Sequence, residues 1–166
     1  PVEVVRQEPL LWVGSAQHDI ASEEVLPLAL SKPPCMWRDA AVAAADGVTS
    51  WLLGDDGRLR RSWKDGRGTA DGVLEDYANL AEGILALYEA TGDEPWFAVA
   101  VGLADVLLAR FADPAGGFFD TADDGEQLVV RPKGLGDNAV PSGGAMATTV
   151  LLRLAALTGD ARYRTA

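Results

Sequence analysis

The stretch "GVLEDYANLAEGILALYEATGDEPW", residues 72–96, decides how the chain reads. Val73, Tyr77, Leu80, Ala81, Ile84, Leu85 and Tyr88 recur at intervals of three and four, which places them on one stripe of a helix over 73–90. Gly92 closes that helix, since glycine is favoured just past a helix C-terminus. Asp93, Glu94 and Pro95 then open a second helix reaching about residue 111, with Trp96, Val99, Leu103, Val106 or Leu107 and Phe111 facing inward. The stripe does not account for the first turn, where Glu75, Asp76 and Tyr77 stand together behind a glycine.

Upstream, Trp37, Ala41, Ala44, Val48 and Trp51 or Leu52 have helical spacing and predict a helix over 36–53, stopped by "GDDG" at 54–57. "RLRRSW" (58–63) alternates like a short strand, and "KDGRGTADG" (64–72) reads as a loop. Downstream, "GGFFDT" (116–121) and "EQLVVR" (126–131) read as two strands joined by "ADDG". "KGLGDNAVPSGG" (133–144) is a long polar loop, and a further helix runs from near Ser142 to residue 157. "TGD" at 158–160 repeats the earlier closing device, and "ARYRTA" opens another helix. Residues 1–34 hold two short strand-like pieces, "PVEVV" and "LLWVG", and "IASEEVLPLAL", a short helix capped by Ser22 and broken at Pro27. They form an unplaced N-terminal segment ahead of a domain over 35–166, bounded by the prolines of "SKPP".

Two offsets recur. Trp37 precedes Asp46, Gly57 and Leu59 as Trp96 precedes Asp105, Gly116 and Phe118, an offset of 59. "ILALYEATGDEPW" matches "LLRLAALTGDARY" at an offset of 67, pairing Leu85 with Leu152 and Thr91 with Thr158. Repeated helical pairs imply units that bury their apolar faces by stacking. Short "TGD" turns alternate with long connectors, so antiparallel neighbours put both long connectors on one rim, at the starts of the helices at 73 and 142.

Composition bounds the partners. The net charge is −11, with 14 basic and 25 acidic residues, which disfavours nucleic acid and anionic membranes. One cysteine, Cys35, allows no internal disulfide, and one histidine, His18, leaves almost no basis for a Cys/His zinc site; no metal or other cofactor is expected. No apolar run is long enough to span a membrane, and no leader pattern opens the chain, so a cytoplasmic setting is expected.

From "LEDYA", "GGFFDT", "RPK…DNAVPSG" and the two "TGD" turns, residues 37–166 resemble the YyaL-type proteins, kin of the spermatogenesis-associated thioredoxin-domain protein. The resemblance implies an all-α fold, helical hairpins of an (α/α) toroid of the six-hairpin glycosidase class akin to N-acylglucosamine epimerases, with its site in a funnel at the inner-helix N-termini. About two and a half hairpins of such a ring, with a small β-hairpin insertion, are expected in this chain. The family's usual thioredoxin-like domain has no C-x-x-C counterpart in this chain.

The functional expectation is a carbohydrate-active segment, glycosidase-like or sugar-binding, against a rival non-catalytic scaffold for a partner or a thioredoxin domain. Asp76 and Asp137 are the candidate catalytic carboxyls, since glycoside hydrolysis needs two flanking one bond. Asp76 is favoured because Leu80, Gly83 and Leu87 continue its face, and apolar walls raise a carboxyl's pKa. Glu75, Tyr77, Trp63, Asn138, Arg131, Lys133 and Ser142 are candidate substrate-binding residues. Each has a plainer reading. The helix dipole favours Glu75 and Asp76, Tyr77 lies on the core stripe, Trp63 packs, Asp137 and Asn138 make a turn, and Arg131 and Lys133 pair with the acidic rim. A ring-opening epimerase would want a histidine pair, and a lanthionine-cyclase-like toroid would want zinc ligands; neither is present. Partners expected are a sugar or other small molecule, and either self-association or the missing remainder of the toroid, because an open stack exposes apolar faces.

Overall fold

The computed structural model describes residues 34–126, 128–134, 136 and 139–165. The strands and short helix expected before residue 34 lie outside the described residues, as do His18, Asp137 and Asn138. The fold is mostly helical with a small two-stranded hairpin. Helix α1 spans Pro34–Leu52, strands β1 and β2 span Arg60–Lys64 and Arg67–Asp71, and helix α2 spans Leu74–Thr91. Helix α3, Glu94–Val106, runs on into a π-helical turn, Leu107–Phe111. Helix α4, Gly143–Thr158, is followed by a 3-10 turn, Ala161–Arg164, where the sequence predicted a longer helix.

Helices α2 and α3 are antiparallel, joined at Gly92–Asp93 and zipped by two tilted ring pairs. Tyr88 meets Phe97 at 5.1 Å, and Tyr77 meets Phe111 at 5.2 Å. Helix α4 lies parallel to α2. Gly143 abuts the Glu75 amide and the Leu74 side chain, while Arg153 pairs with both Glu82 and Glu89. Alanines 78, 81, 100, 104 and 147 are wholly buried between larger Leu, Ile, Phe and Tyr side chains, so the backbones pack closely.

Both sequence offsets reappear as hydrogen-bond frames. After α1, Gly54 N–H donates to Arg58 O and Gly57 N–H to Gly54 O, both at 2.9 Å. After α3, 59 residues on, Asp113 N–H donates to Gly117 O at 2.8 Å and Gly116 N–H to Asp113 O at 2.7 Å. Gly57 and Gly116 hold φ of +75° and +101° there, where a side chain would be strained. The β-bridges Leu53↔Leu59 and Ala112↔Phe118 have the same spacing. At the other offset, Gly92 donates to Tyr88 O as Gly159 does to Ala155 O, and the hydroxyls of Thr91 and Thr158 return to Leu87 O and Leu154 O.

Three expectations are corrected. The hairpin is at 60–71, not 116–131, and the "KDGRGTADG" loop supplies its second strand. Asp65 and Gly66, at φ 52° and 76°, make the two-residue turn whose twist matches paired strands. In 116–131 only the Ala112↔Phe118 bridge forms among the described residues; "ADDG" does turn, with Gly125 N–H donating to Ala122 O at 3.4 Å, and its acids pair with Arg58 and Arg110. Third, Trp37, Ala41 and Ala44 do not face a core; in α1 only Val48 and Leu52 are buried among the residues described there, and Leu52 rather than Trp51 points inward.

Two glycines test the packing in opposite directions. A Cβ at Gly72 would sit 2.9 Å from Leu59 O and 3.1 Å from the Tyr77 ring, so Gly72→Ala is expected to cost about 1–3 kcal/mol. Gly83, in the middle of α2, has nothing within 4 Å, so Gly83→Ala is expected to gain about 0.5–1 kcal/mol. Urea-denaturation midpoints of the two variants should move in opposite senses.

Candidate functional site

The rim is built from helix starts. A helix leaves its first N–H groups without partners in its own ladder, and connectors or side chains must take them. At α2, Leu74 N–H donates to Asp120 O at 2.9 Å, so the connector after α3 caps the helix before it. Asp76 Oδ2 accepts from Val73 N–H at 2.9 Å. At α4, Ser142 Oγ accepts from Ala145 N–H at 3.3 Å, placing this candidate binding residue at the N-cap. The α3 C-terminus faces the same rim. Arg110 O there accepts Asp123 N–H and Arg131 Nη2, and Phe111 O accepts Phe119 N–H.

Asp76 is completely buried. Arg61 Nε stands 3.6 Å from its Oδ2, and Oδ1, also buried, has no hydrogen-bond partner among the described residues. Burial raises its carboxyl above the usual range and outweighs the Val73 hydrogen bond and the Arg61 charge, which lower it; the Glu75 charge adds to the rise. Glu75, one residue earlier, is half-exposed and takes Arg61 Nη2 at 2.8 Å. Tyr77 is wholly buried, and its hydroxyl is not at an edge: it accepts Leu59 N–H at 2.8 Å, fixing the first connector to α2. Burial raises the Tyr77 phenol as well.

The other candidates are spread along the connectors. Trp63, on β1, stacks on Trp51 of α1 at 6.3 Å and 25°. Arg131 donates to the carbonyls of Thr121 and Arg110 and lies 4.1 Å from the Phe119 ring centre. Lys133 pairs with Asp113, donates to Gly116 O at 2.9 Å and lies 4.8 Å from the same ring. Both cations thus lock the second connector in shape. The Lys133 hydrogen bond holds the Asp113 carboxyl below its usual range.

A hollow of about 210 Å³ opens where the two helix starts meet, lined by Val73, Leu74, Glu75, Asp120, Thr121 and Gly143. Among the described residues, Glu75 is the one sequence candidate in this lining; Asp76 is not part of it. The sequence does not single out Asp120 and Thr121, because "GGFFDT" reads as a strand whose side chains would alternate between faces. The wall of the hollow holds two acidic residues and Thr121, whose hydroxyl oxygen is buried; Glu75 is paired with Arg61, and Asp120 Oδ1 accepts Gly134 N–H at 3.0 Å. Among the described residues, no group of three or more His, Cys, Asp or Glu is placed to hold a metal ion.

Fold and rim together define a helical-hairpin protein with a polar mouth at the joined starts of two parallel helices. No protein-family model matches the chain. It is 39% identical over 113 residues to spermatogenesis-associated protein 20 of Mus musculus, covering 62% of this chain and 14% of that protein. The Homo sapiens protein of the same name is 40% identical over 90 residues, covering 53% of this chain and 12% of its own length. The chain therefore spans about one seventh of the length of the curated relatives it matches.

Two variants probe this region. Tyr77→Phe strips the buried Leu59 N–H of its acceptor and is expected to cost about 1–3 kcal/mol by urea denaturation. For Asp76, the fold holds the proton more tightly than the unfolded chain does. Its contribution to stability is complete below the usual value of 3.8 and is lost as pH rises through the raised value. Asp76→Asn should therefore gain stability relative to the parent across that window and hold a constant difference above it. Denaturation midpoints compared from about pH 3.5 to 8 check this.

Proposed function

We propose that the chain is a section of an α/α toroid of the six-hairpin glycosidase class, and that its rim is carbohydrate-active, taking sugar hydroxyls where α2 and α4 begin. The observation that supports this most is the hollow at the joined helix starts, with Glu75, Asp120 and Thr121 in its wall. Carboxylates presented at helix N-termini are held there by the dipole and accept paired hydroxyls well. In this reading Glu75 and Asp120 meet the ligand. Asp76, enclosed behind the first turn, positions Arg61 and so Glu75. Asp137 and Asn138 belong to the proposal as the contribution of the 133–144 connector, with Asp137 the second carboxyl of any hydrolytic pair.

A second reading, a non-catalytic scaffold, draws on the burial of Asp76. Its carboxylate is spent on the Val73 cap and the Arg61 pair rather than offered to solvent.

Thermal shift followed by calorimetric titration, over a panel of monosaccharides and oligosaccharides, separates the two. A sugar that stabilises the chain, and whose affinity falls at least tenfold in Glu75→Gln/Asp120→Asn, is the expected result. No shift with any sugar, or a shift the double variant keeps, overturns the carbohydrate reading and leaves the scaffold.

A further inference from the structure

The β-hairpin keeps two faces apart. One turns to the helices, where Trp63 stacks on Trp51 of α1 and Arg61 reaches Glu75 and Asp76 of α2. The other faces outward, and the hydroxyls of Ser62 and Thr69, 2.7 Å apart across the strands, mark it. Side chains alternate along a strand and directly opposed residues share a face. Lys64 and Arg67, the opposed pair that flanks the turn, therefore stand on the outer face too. Lys64, Asp65, Gly66 and Arg67 are all exposed, so the tip projects into solvent.

These two cations stand apart from the rest of the chain, in which acidic residues outnumber basic ones by 25 to 14. Every other described arginine and lysine is held by a carboxylate or a carbonyl, whereas Lys64 and Arg67 have no such side-chain partner among the described residues, Asp65 in the turn between them included. Like charges directly opposite each other on a sheet repel, and an anion laid between them relieves that cost. The net charge of −11 repels a long polyanion, and a projecting tip encloses no small ion. The complementary group is therefore a few carboxylates carried on a larger partner. The backbone suits such a partner as well. The sheet has two strands, and no backbone group of residues 60–71 bonds backbone outside the hairpin among the described residues. Its outer edges thus offer a hydrogen-bond ladder to an extended segment.

We propose that the hairpin tip docks an extended acidic segment of a partner protein. Carboxylates of that segment meet Lys64 and Arg67, the guanidinium taking one of them through two parallel hydrogen bonds. Its backbone lies along a strand edge and lengthens the sheet. The contact is small and exposed, so it is weak and falls with salt. It does not depend on the carbohydrate reading of the rim, since neither cation lines the hollow at the helix starts.

Fluorescence anisotropy at low salt, with a dye-labelled peptide of alternating glutamate and valine and the whole chain, tests it. The peptide is expected to bind the parent, and its glutamine counterpart is not. Lys64→Gln/Arg67→Gln should weaken binding at least tenfold, while Arg67→Lys, which keeps the charge, should stay within about threefold of the parent. Arg38→Gln/Arg164→Gln removes the same charge elsewhere and should stay within about twofold, which separates a local site from the overall field. Circular dichroism and urea midpoints verify that the variants fold. A parent that binds no glutamate peptide up to about 1 mM overturns the proposal. So does a Lys64→Gln/Arg67→Gln variant that binds as the parent does, an equal loss in the Arg38/Arg164 control, or a glutamine peptide that binds as well. Inorganic phosphate or a single-stranded oligonucleotide that displaces the peptide at or below the peptide's own concentration also overturns it, in favour of that ligand.

Discussion

The structure depends on one close approach, that of two parallel helix starts. Gly143 lies against the Glu75 amide and the Leu74 side chain, where a Cβ would come within 3.1–3.2 Å, so a glycine at the start of α4 lets it approach α2 without displacing either neighbour. Bringing two helix starts together concentrates unpaired N–H groups and positive dipole ends in one place. The chain answers from several directions at once. Asp120 O reaches Leu74 N–H, Asp76 reaches back to Val73 N–H, and Ser142 caps α4. Two carboxylates and a phenol at the mouth of an apolar helix are part of that answer. Asp76 and Tyr77 hold the rim together, and Glu75 is left at its surface.

The described parts of the connectors do the work of caps. The second connector closes the end of α3 through the carbonyls of Arg110 and Phe111, then supplies the acceptor for the start of α2. Arg58 of the first connector pairs with Asp124 of the second at 2.9 Å. With 25 acidic residues against 14 basic, nearly every well-placed arginine has a carboxylate or carbonyl to hold, and the basic residues near the rim act as ties. Exposed pairs of this kind add little stability one by one, and their value here is in fixing connector shape.

Repetition explains both what is packed and what is not. The turns after α1 and α3, and those after α2 and α4, are built from the same hydrogen bonds at the same spacing, so the chain is a quasi-periodic stack in which each unit buries its face on its neighbour. The same periodicity makes the unburied positions interpretable. Ala41, Ala44 and Leu152 are exposed at places where their counterparts are core.

The sequence by itself determined the helices, the turns between them and the repeat. Apolar spacing, Gly92, Gly159 and the threonines beside them act over a few residues, and local signals of that range survive whatever the tertiary context. It also determined that both long connectors share a rim, since that follows from counting antiparallel helices. Only the tertiary structure decided where the strands are. "GGFFDT" and "RGTAD" carry similar local preferences, and the hairpin forms where the φ-positive pair Asp65 and Gly66 makes a two-residue turn between paired strands. Only the tertiary structure, too, decided that Asp76 is enclosed while Glu75 is open, and that Asp120 and Thr121 join the rim. Adjacent carboxylates in one helical turn look alike in sequence, and they differ because burial is set by elements some forty and seventy residues away, the second connector and α4.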